Sequence, residues 1–338
     1  FDESVTDDFA QLGGLDGQIR QIKGYIDFRF RHPEVAAKYR LKDKSCILLS
    51  GPPGNGKTRI ARCCAGYVRS LFPDLPCRFM YVAGASVYSM WLGQSEQNIM
   101  ARFRAAREAA RHGPVMMFWD EIDAIGRSRG TDFGSSAPDR ILNTLLSQLD
   151  GIEPLRNIFV LPATNRPWML DSALLRAGRT DVAIEIPAPN RKAAGAILHH
   201  YLGRGIPLAG GKTVEDLILP LLSRVFAPNG ACAVVAQVKL SDGRRLDVPG
   251  KELLSGAMLE QVVEIAGRQA ANREVISGEA GIAQEDLILA LETQLLGAAK
   301  LLAPGNIKSR VTSIPQDAQP IAVDPVLSSA TATYSRQE

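Results

Sequence analysis

The chain has 338 residues, of which 46% are hydrophobic and 22% are charged, and its formal net charge at pH 7 is +3. A chain of this length can bury a sizeable core and divide into two or three compact units. The near balance of charge favours neither a nucleic-acid partner nor an acidic ligand, and no apolar run reaches the roughly 18 to 20 residues of a membrane helix.

The predicted elements begin with a strand, a glycine-rich turn and a helix between residues 45 and 69. The apolar run 46–49 leads into a turn that starts at Gly51, and the residues from Arg59 onward suit a helix. Four more apolar runs alternate with helical patterns, at 79–82, 115–119, 158–162 and 182–186. This alternation predicts an α/β unit over residues 1–189, in which helices flank a parallel sheet.

Helical patterns continue after residue 189, but one segment changes its period. Residues 233–248 alternate apolar and polar side chains around Asp242-Gly243, which is the pattern of a β-hairpin. The surrounding residues predict a small helical lid over 190–303 that carries this hairpin. From 304 to 338, Pro, Ser, Thr, Ala and Gln dominate without periodicity, so we expect a largely disordered tail with room for one short docked segment.

The turn after the first strand carries the strongest chemical signal. From Gly51 to Thr58 the sequence is GPPGNGKT, which fits G-x-x-x-x-G-K-[ST] between a strand and a helix. In such a loop backbone N–H groups surround phosphate oxygens, the lysine reaches the β- and γ-phosphates, and the final hydroxyl ligates Mg²⁺. The sequence therefore predicts binding of ATP and Mg²⁺, with a chance glycine-rich turn as the alternative. The residues of this loop predicted to bind the nucleotide are Pro53, Gly54, Asn55, Gly56, Lys57, Thr58 and Arg59.

Two acidic residues, Asp120 and Glu121, follow the run 115–119 directly. We predict that Asp120 holds Mg²⁺ together with Thr58, and that Glu121 orients and polarises the attacking water. Two acids at a strand end could instead cap the next helix, but the phosphate loop upstream favours the catalytic interpretation.

A polar residue, Asn165, lies just after the next apolar run, separated from it by Ala163 and Thr164. Its amide is predicted to bind the attacking water or the γ-phosphate. The alternative is a routine loop residue, because Asn is common in turns.

Other segments near these residues resemble those of a known protein family. Residues 164–167 look like the sensor-1 segment of the AAA family of ATPases, and Arg176 and Arg179 match the two arginines of its second region of homology. The resemblance covers about residues 9–189 and implies that both arginines act in trans on the γ-phosphate of a neighbouring subunit. It also implies that Gly13 and Gly14 belong to a loop that encloses adenine. For the arginines, an ordinary surface position is the alternative.

Two shorter matches concern the lid and a loop. Gly256 and Ala257 open a predicted helix and resemble the Gly-Ala pair that AAA proteins place near the ribose. Trp91, Leu92 and Gly93 are similar to the aromatic, aliphatic, glycine pore loop of AAA translocases, whose ring grips an extended polypeptide. The alternative is that Trp91 packs into the core. Residues 126–138 match the place of a second pore loop, although any mobile loop has a similar composition.

Within the family the chain most resembles the bacterial proteasome-associated ATPases of the ARC/Mpa type, on residues 149–153, the hairpin and residues 255–258. This resemblance implies a homo-hexamer that threads protein substrates through a central pore and could feed a proteasome-like or other peptidase. Residues 334–338 depart from the Tyr-then-aliphatic end that docks into a proteasome. A remodelling ATPase or a nucleotide-switched assembly scaffold therefore stays open.

Cysteine usage predicts the compartment. The five cysteines are odd in number and show neither disulfide nor zinc spacing, which favours a reducing, cytoplasmic setting. A DNA-acting motor is disfavoured because there is no basic stripe and no helix-turn-helix pattern, so we expect neither nucleic acid nor membrane as a partner.

Overall fold

The apolar runs of the first part of the chain form a five-stranded sheet in the computed structural model, which describes residues 1–40, 45–89, 91, 93–126, 136–150, 157–176, 179–180, 182–311, 313–315 and 317–327. The chain divides into two units, Phe1–Ile186 and Pro187–Glu338. The division therefore falls three residues before the predicted boundary at residue 189.

The sheet of the first unit is parallel throughout, with the strand order β2-β3-β4-β1-β5. Its strands are β1 (Ile47–Ser50), β2 (Arg78–Ala83), β3 (Val115–Asp120), β4 (Ile158–Thr164) and β5 (Val182–Glu185). The inner strands are buried along their length because helices cover both faces, which explains their continuous apolar sequence. The predicted α/β fold is confirmed. Because β1, β3 and β4 are neighbours and parallel, the residues that follow them gather at one edge.

Five helices of this unit are described, namely α1 (Asp16–Ile26), α2 (Pro33–Lys38), α3 (Lys57–Leu71), α4 (Gln94–Ala109) and α5 (Ser136–Leu149). Helix α3 packs on one face of the sheet, with Phe118 in the shared core. Helices α4 and α5 pack on the other face, where Trp119 stacks on Phe103 at a centroid distance of 5.8 Å. Successive residues of β3 thus support opposite layers.

The segment before α1 is fixed to α3 and β2. Asp2 exchanges two backbone hydrogen bonds with Phe79, of 2.8 and 2.9 Å. The Arg62 guanidinium of α3 donates to Asp7 at 3.0 Å. Gly66 allows this approach, since a β-carbon there would lie 2.1 Å from the Asp7 carbonyl oxygen. The N-terminal segment is therefore anchored to the helix that follows the phosphate loop.

The second unit contains helices and a small antiparallel sheet around a single core. Its elements are α6 (Arg191–Leu202), α7 (Val214–Phe226), β6 (Val234–Leu240), β7 (Arg245–Pro249), α8 (Gly250–Leu253), α9 (Gly256–Ser277), α10 (Gln284–Lys300) and β8 (Pro320–Pro325). Strands β6 and β7 form the predicted hairpin, and Gly243 in its turn has a φ of 85°. The helical lid with its hairpin is as predicted.

The segment after residue 304 differs from the largely disordered tail that the sequence predicts. Strand β8 pairs antiparallel with β6, so the hairpin becomes a three-stranded sheet of order β7-β6-β8. Ile307, Val311 and Ile314 are buried in the core of the second unit. The apolar residues of this Pro-rich segment are spaced without a period, so the sequence alone does not indicate a strand. They still occupy core sites, because the distant strand β6 supplies the pairing partner of β8. The remainder of the tail, 328–338, lies outside the described residues.

No helix within the described ranges combines the length and the apolar character that crossing a bilayer requires.

Candidate functional site

The phosphate loop joins β1 to α3 in a conformation that only glycine tolerates at its first position. Gly51 has a φ of 143°, and a β-carbon there would lie 2.1 Å from the Ile186 carbonyl oxygen. Gly54 and Gly56 also have positive φ, of 78° and 82°. Gly56 is the N-cap of α3 and offers no capping side chain, so the first N–H groups of the helix stay available to an anion. The loop has the geometry of a phosphate cradle.

Lys57 is buried at the start of α3 and turns back onto the loop. Its Nζ donates to the carbonyl oxygens of Gly51 and Pro52 at 2.7 and 2.8 Å. Burial lowers the pKa of Lys57 to about 8, and the nearby Asp120 and Asp123 carboxylates oppose this shift. A bound polyphosphate would favour the charged ammonium and raise this pKa again.

Asp120 meets the start of α3 at the edge of the sheet. Its Oδ2 accepts a hydrogen bond from Thr58 Oγ1 at 3.3 Å and another from the Tyr81 hydroxyl at 3.3 Å. Its Oδ1 accepts from the backbone N–H of Glu121 at 3.0 Å. Carboxylate and hydroxyl oxygens are the ligands that Mg²⁺ prefers, so Thr58 and Asp120 fit this ion.

Glu121 follows β3 in the left-handed region, with φ 51° and ψ 49°. A non-glycine residue in this conformation is strained, and such strain concentrates at functional sites. The turn packs against Gly84, where a β-carbon would lie 2.3 Å from the Glu121 carbonyl oxygen. Gly84 therefore allows the end of β2 to support the turn that carries the predicted catalytic carboxylate.

Asn165 follows β4, and its side-chain oxygen is buried without a hydrogen-bond partner among the described residues. The preceding Thr164 donates from Oγ1 to Asp123 Oδ1 at 2.8 Å and accepts from the backbone N–H of Arg166 at 2.9 Å, which fixes this strand end. Both amide atoms of the buried Asn55 in the phosphate loop also find no partner there. Buried amides are normally satisfied, so these two fit a site that receives a polar ligand.

The two predicted trans-acting arginines have different surroundings. The side chain of Arg176 is exposed and forms no hydrogen bond or ion pair with the described residues. Arg179 is tied inward, because its Nε pairs with the Asp150 carboxylate and its Nη1 donates to the Ala173 carbonyl oxygen at 2.9 Å. Arg176 thus has an exposed guanidinium, whereas Arg179 is held by contacts within its own chain, and the predicted action of both arginines in trans stays a prediction.

Trp91 precedes α4 and is 78% exposed, so the core-packing alternative for its ring is wrong. Gly93, with a φ of 77°, caps α4. The base of the loop is held by Ser95, whose buried hydroxyl accepts from the backbone N–H of Ser89 at 2.9 Å. Leu92 and most of the second predicted pore loop, residues 127–135, lie outside the described residues.

The remaining predicted residues lie in both units. Gly14, with a φ of 74°, and Gly13 lie between the anchored N-terminal segment and α1. Arg59 belongs to the first turn of α3 and is half-buried. Gly256 and Ala257 begin α9 in the second unit, where the Ser255 hydroxyl caps the helix by accepting from Met258 N–H at 3.2 Å.

Sequence reasoning missed Tyr81, Gly84 and Asp123, which lie within or behind the site. None of them belongs to a motif that spacing could reveal. A tyrosine two residues before the end of an apolar strand looks like ordinary strand composition, and only the pairing of β2 with β3 brings its hydroxyl to Asp120.

Two family profiles match the chain in succession. The family described as ATPase family associated with various cellular activities (AAA) matches residues 47–188. The family described as ARC, AAA+ ATPase lid domain, matches residues 189–306.

Several bacterial proteins are similar over most of the chain. A Corynebacterium efficiens protein named "AAA ATPase forming ring-shaped complexes" is 34% identical over 295 residues, which cover 87% of this chain and 55% of that protein. A "Proteasome-associated ATPase" of Acidimicrobium ferrooxidans is 34% identical over 307 residues, covering 86% and 53%. A ring-forming AAA ATPase of Bifidobacterium adolescentis is 36% identical over 280 residues, covering 82% and 54%. The chain thus spans about half the length of the curated relatives it matches.

Proposed function

The chain belongs to the AAA family of ATPases and carries a lid of the ARC type, and from this premise we propose that its protein is an ATP-hydrolysing, hexameric unfoldase and translocase of polypeptides. The observation that carries the proposal is the convergence of Thr58 and Asp120 beside Lys57, with Glu121 held in a strained turn next to them. The exposed Trp91 ring adds a group that can grip a substrate.

Hydrolysis within one subunit would use the residues at the carboxyl edge of the sheet. Lys57 leaves the carbonyl oxygens of Gly51 and Pro52 to pair with phosphate oxygens, and the N–H groups at the start of α3 donate hydrogen bonds to other phosphate oxygens. Thr58 and Asp120 would hold Mg²⁺, which when bound neutralises charge that develops on the phosphates. Glu121 orients and polarises the attacking water, and Asn165 directs its unpartnered oxygen to the same water.

A neighbouring subunit would complete the site. The exposed Arg176 guanidinium is suited to reach the γ-phosphate of the next subunit, where it would stabilise the charge of the transition state. Arg179 holds the base of the same loop against Asp150. Ring formation named in the relatives supports this shared arrangement.

The pore assignment predicts that Trp91→Ala separates hydrolysis from unfolding. The ring is 78% exposed and lies outside the core, so the variant should fold normally. Its ATPase rate should change less than twofold. Unfolding of a tagged, fluorescent substrate should fall at least about tenfold, because the loop loses its apolar grip. The measurement follows fluorescence loss and phosphate release in parallel.

Two further variants sharpen this test. Trp91→Phe, which keeps an aromatic ring, should recover most of the unfolding rate. Tyr39→Ala, a loss of another ring that is 68% exposed, should leave both rates unchanged. Normal unfolding by Trp91→Ala would contradict the pore assignment.

The destination of the threaded chain is a second part of the proposal. The name "Proteasome-associated ATPase" of two relatives supports delivery to a proteasome-like or other peptidase, in the cytoplasm that the cysteine usage favours. A nucleotide-switched scaffold, or a remodelling ATPase without proteolysis, is the alternative. A chain carrying Glu121→Gln, loaded with ATP and used as bait, should retain both substrate and peptidase. Recovery of only its own subunits would favour the scaffold.

The pKa of Lys57 predicts how nucleotide affinity depends on pH. Burial lowers this pKa to about 8, and nucleotide phosphates would raise it, so binding above pH 8 must be accompanied by proton uptake. The part of the ADP affinity that depends on Lys57 should be nearly constant below pH 7 and fall up to about tenfold per unit above pH 8. Calorimetry at pH 8.5 in two buffers of different ionisation enthalpy measures the uptake directly.

The matched variant for this measurement is Lys57→Arg, whose guanidinium stays charged throughout the range. Its ADP binding should show no proton uptake. Equal binding enthalpies of the unaltered chain in both buffers would contradict the assigned role of Lys57.

A further inference from the structure

Tyr81 lies on β2, outside every motif, and its hydroxyl reaches the predicted magnesium site. The hydroxyl donates to Asp120 Oδ2 at 3.3 Å, which is the same oxygen that accepts from Thr58 Oγ1. The residue as a whole is 50% exposed, so its position is not explained by burial alone.

The strand register explains how the hydroxyl is aimed. Tyr81 pairs with Phe118 and Ala83 pairs with Asp120 in the β2–β3 ladder, so Tyr81 is the diagonal neighbour of Asp120 on the face that α3 covers. The Tyr81 ring rests on the buried Phe118 ring at a centroid distance of 5.9 Å, and Phe118 stacks in turn on Phe79 at 6.4 Å. This aromatic row fixes the ring and leaves its hydroxyl end at the carboxylate.

The other two hydrogen-bond donors to Asp120 would behave differently once Mg²⁺ and nucleotide are bound. Thr58 would turn its hydroxyl oxygen toward Mg²⁺, as a residue in this position of a phosphate loop does. The backbone N–H of Glu121 occupies only Oδ1. Tyr81 would then be the side-chain donor that remains on Oδ2 among the described residues.

We propose that Tyr81 is a positioning residue for magnesium, which orients the Asp120 carboxylate through its hydroxyl and thereby tightens the metal–nucleotide complex. This inference rests on the proposed nucleotide site. Partners that orient a metal-binding side chain typically change metal affinity by about 10- to 100-fold when they are removed. Because Mg²⁺ keeps several waters and binds few protein groups, we expect the lower end of that range.

The test is Tyr81→Phe, which keeps the ring on Phe118 and removes only the hydroxyl. Binding of a fluorescent ADP analogue to the full chain is measured in EDTA and then during a Mg²⁺ titration. Without Mg²⁺ the affinity should equal that of the unaltered chain. The Mg²⁺ concentration that gives half of the increase in affinity should rise about tenfold.

A matched control is Tyr67→Phe, which removes a hydrogen bond of the same kind, from the Tyr67 hydroxyl to Asp27 at 2.8 Å, away from Asp120. Its Mg²⁺ titration should match that of the unaltered chain. An unchanged titration for Tyr81→Phe, or an equal loss of affinity in EDTA, would overturn the positioning role alone. Absence of any nucleotide binding by the unaltered chain would overturn the proposed function as well.

Discussion

Replacing Glu121 by Gln should lower the rate of ATP hydrolysis by about 10²- to 10⁴-fold while ATP binding is retained. The amide has the shape of the carboxylate but cannot accept a proton from the attacking water. The strained turn should persist, because its conformation is set by the end of β3 and by the close contact with Gly84 rather than by the charge. The groups predicted to hold the nucleotide, Lys57 and Asp120 among them, are untouched.

Phosphate release and nucleotide binding, measured on the same preparation, check this result. Glu108→Gln provides the control, since it makes the same chemical change on the exposed side of α4, where the carboxylate pairs with Arg111 at 3.2 Å. The hydrolysis rate of Glu108→Gln should stay within twofold of that of the unaltered chain. If Glu121→Gln hydrolysed ATP at that rate too, another group would have to activate the water.

The second large effect concerns Arg176. Arg176→Ala should reduce hydrolysis by about 10³- to 10⁵-fold in assembled rings, since an arginine supplied in trans stabilises the transition state by that much. Its side chain is exposed and forms no hydrogen bond or ion pair with the described residues, so the melting temperature should not change. Arg179→Ala should instead lower the free energy of unfolding by about 0.5–1.5 kcal/mol, because it removes the ion pair with Asp150 and the hydrogen bond to the Ala173 carbonyl. Thermal unfolding and phosphate release together separate these roles.

Mixed rings test whether the site is shared between subunits. Rings made only of Arg176→Ala chains, or only of Glu121→Gln chains, should each be nearly inactive. A mixture should recover part of the rate, because some interfaces then combine an intact Glu121 with an intact Arg176 from the neighbour. No recovery in mixtures that assemble normally would contradict action in trans.

Much of the site was predictable because its residues follow buried strands. Asp120 ends one buried strand, Asn165 directly follows another, and Lys57 follows the glycine-rich turn after a third; parallel neighbouring strands bring such ends to one edge. The hairpin in the lid was predictable for a similar reason, since its period and its Asp-Gly turn are local signals.

The features that the sequence did not reveal depend on contacts between distant segments. Tyr81 acquires its role from the register of β2 against β3, and Gly84 from the close approach of the turn after β3. Arg176 and Arg179 look equivalent in the sequence, but only one of them meets Asp150 at the end of α5. Strand β8 lacked a pattern because its partner β6 lies far away along the chain.

Strand β8 also determines how this lid can be shortened. The ARC lid profile ends at residue 306, yet the core of the second unit continues through Ile307 and Val311, and β8 pairs with β6 beyond them. A chain cut at residue 306 would leave one side of β6 with bare N–H and C=O groups beside uncovered apolar side chains. Such an edge recruits a strand from another copy, so the truncated lid should aggregate, whereas a cut after residue 327 should keep it monodisperse.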